Sequence, residues 1–210
     1  MNVPPAPSWL YHYFILPSDE YKSAREAAEL MGVSRQTAYR YLDQMLRYIR
    51  SGFKFNAPSI KRLYYVLTKD LVMQNGMPYP RGFKNAPNVV NNMETTTPDQ
   101  VETELSELLE YYKENKKREH PLKLAFHFHL RYEGIHPFVD GNGRTGRMIM
   151  NKILMTNGYF PVVIYSKNST AYYNAIAKGL TSRNKRGYYQ FMLKQSLKTY
   201  KAFLKFVKKY

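Results

Sequence analysis

The run His136-Pro137-Phe138-Val139-Asp140-Gly141-Asn142-Gly143-Arg144-Thr145-Gly146-Arg147 constrains this chain more than any other feature. A loop with two glycines within three residues leads straight into a stretch of helical periodicity, Arg144 to Asn157, with Gly158 just past its end. Glycines let backbone N–H groups approach a ligand closely, and a helix start adds unpaired donors and a positive dipole end. Arg144 and Arg147, three apart, project from neighbouring positions on one face and are placed to grip separate phosphate oxygens. The predicted result is an anion cradle sized for a polyphosphate.

Asp140 lies at the lip of that cradle. A carboxylate beside a polyphosphate is repelled unless a divalent cation sits between them, so Asp140 fits the role of a Mg²⁺ ligand. His136 is the nearby group whose unperturbed pKa lets it accept a proton near neutral pH. A base, a metal ligand, an anion nest and two arginines together describe phosphoryl or nucleotidyl transfer to an incoming hydroxyl, with catalysis mostly by positioning and charge stabilisation.

The rest of the chain predicts a mainly α fold. Ser23 to Leu30 has a capping box, with Ser23 and Glu26, and Gly32 separates it from a second helix that Ser34 caps and that runs to about Arg50. The Asn56-Ala57-Pro58 cluster then marks a boundary near residue 56, dividing residues 1–56 from 57–210. Ser59 to Leu71 carries Ile60, Leu63, Tyr64 and Leu67 on one stripe. Residues 75–92 are rich in Gly, Pro and Asn, with room for a hairpin around Phe83 and Val89-Val90. Thr97 caps a helix that starts at Pro98 and continues through Val101, Leu105, Leu108 and Tyr112. Further helices are predicted from Pro121 to Gly134, Thr170 to Lys178 and Gly187 to Lys208.

Composition narrows the setting. With no cysteine there is no disulfide and no thiolate metal site. The apolar stretch from Trp9 to Pro17 is too short to span a bilayer, so the expectation is a cytoplasmic protein without a membrane partner. The net charge of +16 attracts polyanions: nucleic acid, nucleotides or an acidic protein. His127, His129 and His136 lack an acidic or Cys partner at ligand spacing, which places His129 in the core and His127 at the surface.

The run from His136 to Arg147 matches the Fic signature, His-Pro-Phe-x-(Asp/Glu)-Gly-Asn-Gly-Arg-x-x-Arg, at every fixed position, and the chain resembles that family over roughly residues 59–195. The resemblance implies a Fic-type helical bundle with a small β-hairpin flap. It also implies transfer of AMP from ATP, with Mg²⁺, to a Ser, Thr or Tyr hydroxyl of a target protein. His136 would deprotonate that hydroxyl, Phe138 would hold the loop in the core, and Asp140 would bind Mg²⁺ on the ATP phosphates. Gly141, Asn142 and Gly143 would surround the α-phosphate, and Arg144 and Arg147 would hold the outer phosphates. Relatives with similar folds transfer other nucleotides or remove AMP. The branch that transfers phosphate carries Lys where this chain has Gly143.

Residues 82–90 resemble the family's flap, which docks a target backbone as an added strand, with Phe83, Val89 and Val90 as docking residues and Lys84 where Arg is more usual. The family's inhibitory motif, Ser/Thr-x-x-x-Glu-Gly/Asn, is absent: His129 and Glu110 stand four residues before Glu133 and Glu114. Restraint by a small inhibitory partner protein is the corresponding expectation. Residues 23–46 resemble a helix-turn-helix, in which Arg35, Gln36 and Arg40 would face DNA, so a DNA-binding regulator is the alternative reading.

Overall fold

The cluster that marks a boundary in the sequence also caps the helix that follows it. Asn56 Oδ1 accepts the Ser59 N–H at 2.9 Å, and α1 runs from Ala57 to Thr68 with Pro58 in its first turn, where a missing donor is tolerated. This computed structural model describes residues 53–207 except 70, 74, 91, 92 and 165–167, with side chains to 201. The compact unit discussed below comprises Lys54–Val162 and the chain from Ala171 onward. The helix-turn-helix expectation, with Arg35, Gln36 and Arg40, lies outside the described residues.

After α1 come β1 (Val89–Val90) and β2 (Met93–Glu94), which pair antiparallel with Val89 opposite Glu94 and Val90 opposite Met93. A 3₁₀ turn, Pro98–Gln100, leads into α2 (Val101–Asn115), followed by α3 (Pro121–Ile135), α4 (Asn142–Thr156), α5 (Ser169–Thr181) and α6 (Arg186–Val207). The described residues are therefore mainly helical with one small hairpin, as the sequence predicts. None of their helices is long and apolar enough to cross a membrane.

The boundaries shift for identifiable reasons. The Thr97 hydroxyl donates to Gln100 Oε1 at 3.1 Å instead of capping the backbone, so the first turn after it is 3₁₀ and α2 begins only at Val101. α1 ends at Thr68, whose hydroxyl donates back to Tyr64 O at 2.8 Å; Thr68 is buried and Leu67 half-buried, which reverses the predicted stripe at that end. Phe83 falls outside both strands.

α3 is the central helix. Leu124, Ala125, Phe126, Phe128, Leu130, Tyr132 and Ile135 are all buried, and a helix apolar on nearly every side must be enclosed. It packs against α2, α4 and α6. Gly146 lets α4 approach it: a Cβ there would meet Tyr132 Cδ1 at 2.8 Å.

His129 is fully buried, as predicted, but His127 is not a surface residue. It is half-buried, its ring 4.6 Å from that of Tyr111 and its Nδ1 3.2 Å from the Tyr189 hydroxyl. The aromatic residues that enclose it come from α2 and α6, which periodicity within α3 does not register. Burial, with Lys185 and Arg131 nearby, pulls its pKa down from 6.5 to about 4. Between these two values the folded chain binds fewer protons than the unfolded chain, so stability falls as pH drops through that window. Thermal unfolding midpoints measured from pH 7 to 4 are expected to fall less steeply for His127→Phe than for the wild type; parallel slopes would refute the assignment.

Candidate active site

The signature loop begins with a conformational demand. His136 caps α3 at φ 49° and ψ 60°, and among the described residues it is the one non-glycine residue with positive φ. This left-handed conformation costs an L-residue about 1–2 kcal/mol and concentrates at functional sites. The turn it makes sends Phe138 into the core, where its ring stacks on Tyr64 with centroids 3.7 Å apart. Asn142 then closes the loop: its Oδ1 accepts the Phe138 N–H at 2.8 Å, and its Nδ2 donates to Phe138 O at 2.7 Å. The Asn142 side chain is thus used inside the loop and is not spare for other partners.

α4 starts at Asn142, two residues earlier than periodicity suggests, because Gly141 adopts φ 81° and serves as its cap. The first intrahelical bond joins Thr145 N to Gly141 O, so the N–H groups of Asn142, Gly143 and Arg144 have no intrahelical acceptor. These donors stand where the sequence predicts an anion cradle. At Gly143 a Cβ would meet Arg147 Nη1 at 2.9 Å, so a larger residue there would displace the end of that side chain.

The two arginines take different partners. Arg144 Nη2 donates to the Tyr79 hydroxyl at 2.8 Å, and that hydroxyl donates to Asp140 Oδ2 at 2.7 Å. Burial pushes the Asp140 carboxyl up, but hydrogen bonds from Tyr79 and Gly141 and the nearby Arg144 outweigh it and hold the group below its ordinary range. Asp140 is therefore an ionised, 58% exposed carboxylate at the cradle's lip. No cluster of three or more His, Cys, Asp or Glu suited to a metal occurs among the described residues. A lone carboxylate fits Mg²⁺, which is usually held by one or two carboxylates plus substrate phosphates. Arg147 Nη1 lies 3.4 Å from the Tyr172 hydroxyl, which also sits 2.9 Å from His129 Nε2.

His136 is 15% exposed. Burial lowers its pKa and Lys84 adds to the effect, while Glu133 opposes it; the net shift is downward, so the imidazole is neutral near pH 7 and able to accept a proton. Among the described residues, the buried polar side-chain atoms without a hydrogen-bond partner are Tyr64 Oη, Tyr132 Oη, Glu133 Oε1 and His136 Nδ1. Every one belongs to the loop or to residues packed around it, so the unmet polar capacity is gathered there.

The flap segment is anchored from below. Lys84 is 3% exposed, and its Nζ donates to Asn88 Oδ1 at 2.8 Å, Thr95 Oγ1 at 2.7 Å and Ile135 O at 3.1 Å. Its backbone N–H donates to Pro137 O at 2.8 Å. Lys84 thus ties the hairpin to the residues on either side of His136, a positional role legible only in the fold. Burial pulls its ammonium down to about 8, with Glu104 opposing. Val89 is exposed and Val90 half-buried, whereas Phe83 packs 5.4 Å from the Phe138 ring beneath the Lys61 ammonium. Phe83 is therefore a loop support more than an exposed docking residue.

Tyr79, Glu133 and Tyr172 join this site without being predicted for it. Tyr79 lies 61 residues from Asp140, and no spacing rule links them. Glu133, three residues before His136, was legible as a helical neighbour.

Residues 55–154 match the family model described as Fic/DOC family. A 55-residue stretch is 47% identical to "Protein adenylyltransferase Fic" of Drosophila persimilis, covering 26% of this chain and 11% of that protein. The chain thus spans only a small part of the curated relatives it matches. The fold is similar to that of a Fic domain-containing signaling protein from Bacteroides thetaiotaomicron, with TM-score 0.72 and 18% identity, over 91% of this chain and 85% of that one. It is also similar to IbpAFic2 solved in complex with adenylylated Cdc42, with TM-score 0.60 and 19% identity, over 94% of this chain and 64% of that one. Through residues 55–154, a stretch that holds the whole signature loop, this chain is similar to the Fic/DOC family.

Proposed function

We propose that this chain is a protein adenylyltransferase that moves AMP from ATP to a Ser, Thr or Tyr hydroxyl of a target protein. One observation carries the reading: a neutral imidazole, a row of unpaired helix-start N–H groups and an ionised carboxylate converge on one loop. The Drosophila relative's name supports the same activity.

In this reading the acceptor oxygen bonds to the α-phosphorus as the bond from that phosphorus to the α–β bridging oxygen breaks. Pyrophosphate leaves, and the hydroxyl proton passes to His136 Nε2. The N–H groups of Asn142, Gly143 and Arg144 stabilise charge gathering on the α-phosphate, while Arg144 and Arg147 hold the outer phosphates. Asp140 would hold Mg²⁺, which when bound neutralises phosphate charge. For Asp140 and Arg144 to face the nucleotide, the Tyr79 hydroxyl has to yield or share its place between them. The exposed Val89 edge of the hairpin is the segment on which an extended target backbone would add.

The purified chain, Mg²⁺ and a bacterial lysate as acceptor source provide the test, with ATP labelled at either the α- or the γ-phosphate. Protein-bound label is expected from the α-position alone. Label arriving from the γ-position would replace this reading with phosphate transfer, and label from neither would reject it.

A further inference from the structure

Among the side chains packed around α3, one oxygen of a buried carboxylate has no hydrogen-bond partner. The Tyr188 hydroxyl donates to Phe126 O at 3.1 Å, so its oxygen accepts from His129, whose Nδ1 stands 2.8 Å away and must carry the proton. The His129 Nε2 lies 2.9 Å from the Tyr172 hydroxyl, whose oxygen also faces Arg147 Nη1. Glu133 Oε1 sits 3.4 Å from that same Nε2, yet it has no hydrogen-bond donor. Glu133 is 3% exposed; burial pushes its carboxyl up, while His129 first and then His136 and Arg147 act the other way, with a net downward shift. A buried carboxylate lacking a donor is strongly disfavoured.

A matching orphan lies across the gap. His136 Nδ1 is buried and makes no hydrogen bond of ordinary geometry; Glu133 Oε2 is 3.7 Å from the ring nitrogen, and the Glu133 backbone carbonyl also acts on the imidazole. That distance is too long for a hydrogen bond, but catalytic hydrogen bonds are often long before substrate binds and tighten in the complex. Lys84 from the flap and Asp140 from the loop are the other charged groups acting on the imidazole. Lys84 offers it no acceptor, because its ammonium donates to Asn88, Thr95 and Ile135.

We propose that Glu133 is a positioning residue for His136: its carboxylate accepts the imidazole Nδ1–H and so fixes the tautomer whose Nε2 lone pair faces the acceptor hydroxyl. The proposal rests on the reading of His136 as the base. It extends the logic of a base oriented by a buried carboxylate to a pair one helical turn apart. It also explains why a glutamate that no inhibitory motif accounts for is enclosed beside the loop.

Long-range proton–nitrogen correlation NMR on histidine-labelled protein tests this directly, with the His136 signals identified by their loss in His136→Ala. A neutral imidazole in water favours the Nε2–H tautomer, so a majority of Nδ1–H at His136 in the wild type is the expected and diagnostic result. Glu133→Leu, which removes the acceptor, is expected to return His136 to mainly Nε2–H, and Glu133→Gln to give a mixture. In the lysate assay with α-labelled ATP, both variants are expected to lower the rate at saturating ATP by roughly 10- to 100-fold, with the half-saturating ATP concentration little changed. If Glu133→Leu does not fold, Glu133→Gln decides. Mainly Nε2–H in the wild type, or variants that leave either the tautomer or the saturated rate unchanged, would overturn the pairing. A wild type that transfers no label but shows the expected tautomers would keep the pairing and overturn the transferase reading instead.

Discussion

His136→Ala is expected to lower AMP transfer by roughly a hundred- to ten-thousand-fold, the range over which a positioned general base contributes. The fold should survive, because what holds the loop does not pass through the imidazole. Phe138 is stacked on Tyr64, Asn142 clamps both backbone groups of Phe138, and Lys84 grips Ile135 O and Pro137 O. Alanine keeps the left-handed backbone at position 136, where histidine is tolerated somewhat better, so the unfolding midpoint is expected to drop only slightly. ATP binding should persist, since the N–H groups at the start of α4 and both arginines remain. Initial rates of label transfer, set beside an ATP-binding isotherm for the same variant, separate these effects. Transfer that continues at the wild-type rate would remove His136 from the chemistry.

Phe138→Ala is expected to have the largest effect on stability, about 3–5 kcal/mol, the usual range for deleting a fully buried phenylalanine side chain. The ring is 0% exposed, stacked on Tyr64 and tilted against Phe83. Its backbone is pinned as firmly: Asn142 meets the N–H and C=O, and Asn88 Nδ2 donates to the same carbonyl at 2.9 Å. Removing the ring opens a cavity directly beneath the catalytic turn, between α1 and the flap. For a chain of this size the loss corresponds to a fall in melting temperature of roughly 6 to 20 °C. Phe138→Leu, which keeps part of the volume, should lose distinctly less. Equal melting temperatures for the wild type and Phe138→Ala would mean that the stack does not hold the loop.

The site divides along a physical line. The cradle was legible because its parts are neighbours in sequence: Gly141 to Arg147 are seven consecutive residues, and glycine turns and helix starts are local events. The start of α4 was misplaced by two residues because periodicity detects buried side chains and not the conformation of Gly141. His127 was misassigned because what covers it, Tyr111 and Tyr189, comes from helices far along the chain. Phe83 was assigned to docking because its region resembled a flap, whereas its ring is turned against Phe138.

By itself, the sequence determined the mainly helical class and the glycine turn that opens α4, and it singled out the candidate base, since each depends on residues close together in the chain. The tertiary structure decided which donor meets which acceptor. It brought Tyr79 to Asp140, Lys84 to the carbonyl of Ile135 and Tyr188 to His129, across 61, 51 and 59 residues. Such meetings follow from how α3 is enclosed by its neighbours, and packing between distant segments leaves no periodic trace along the chain.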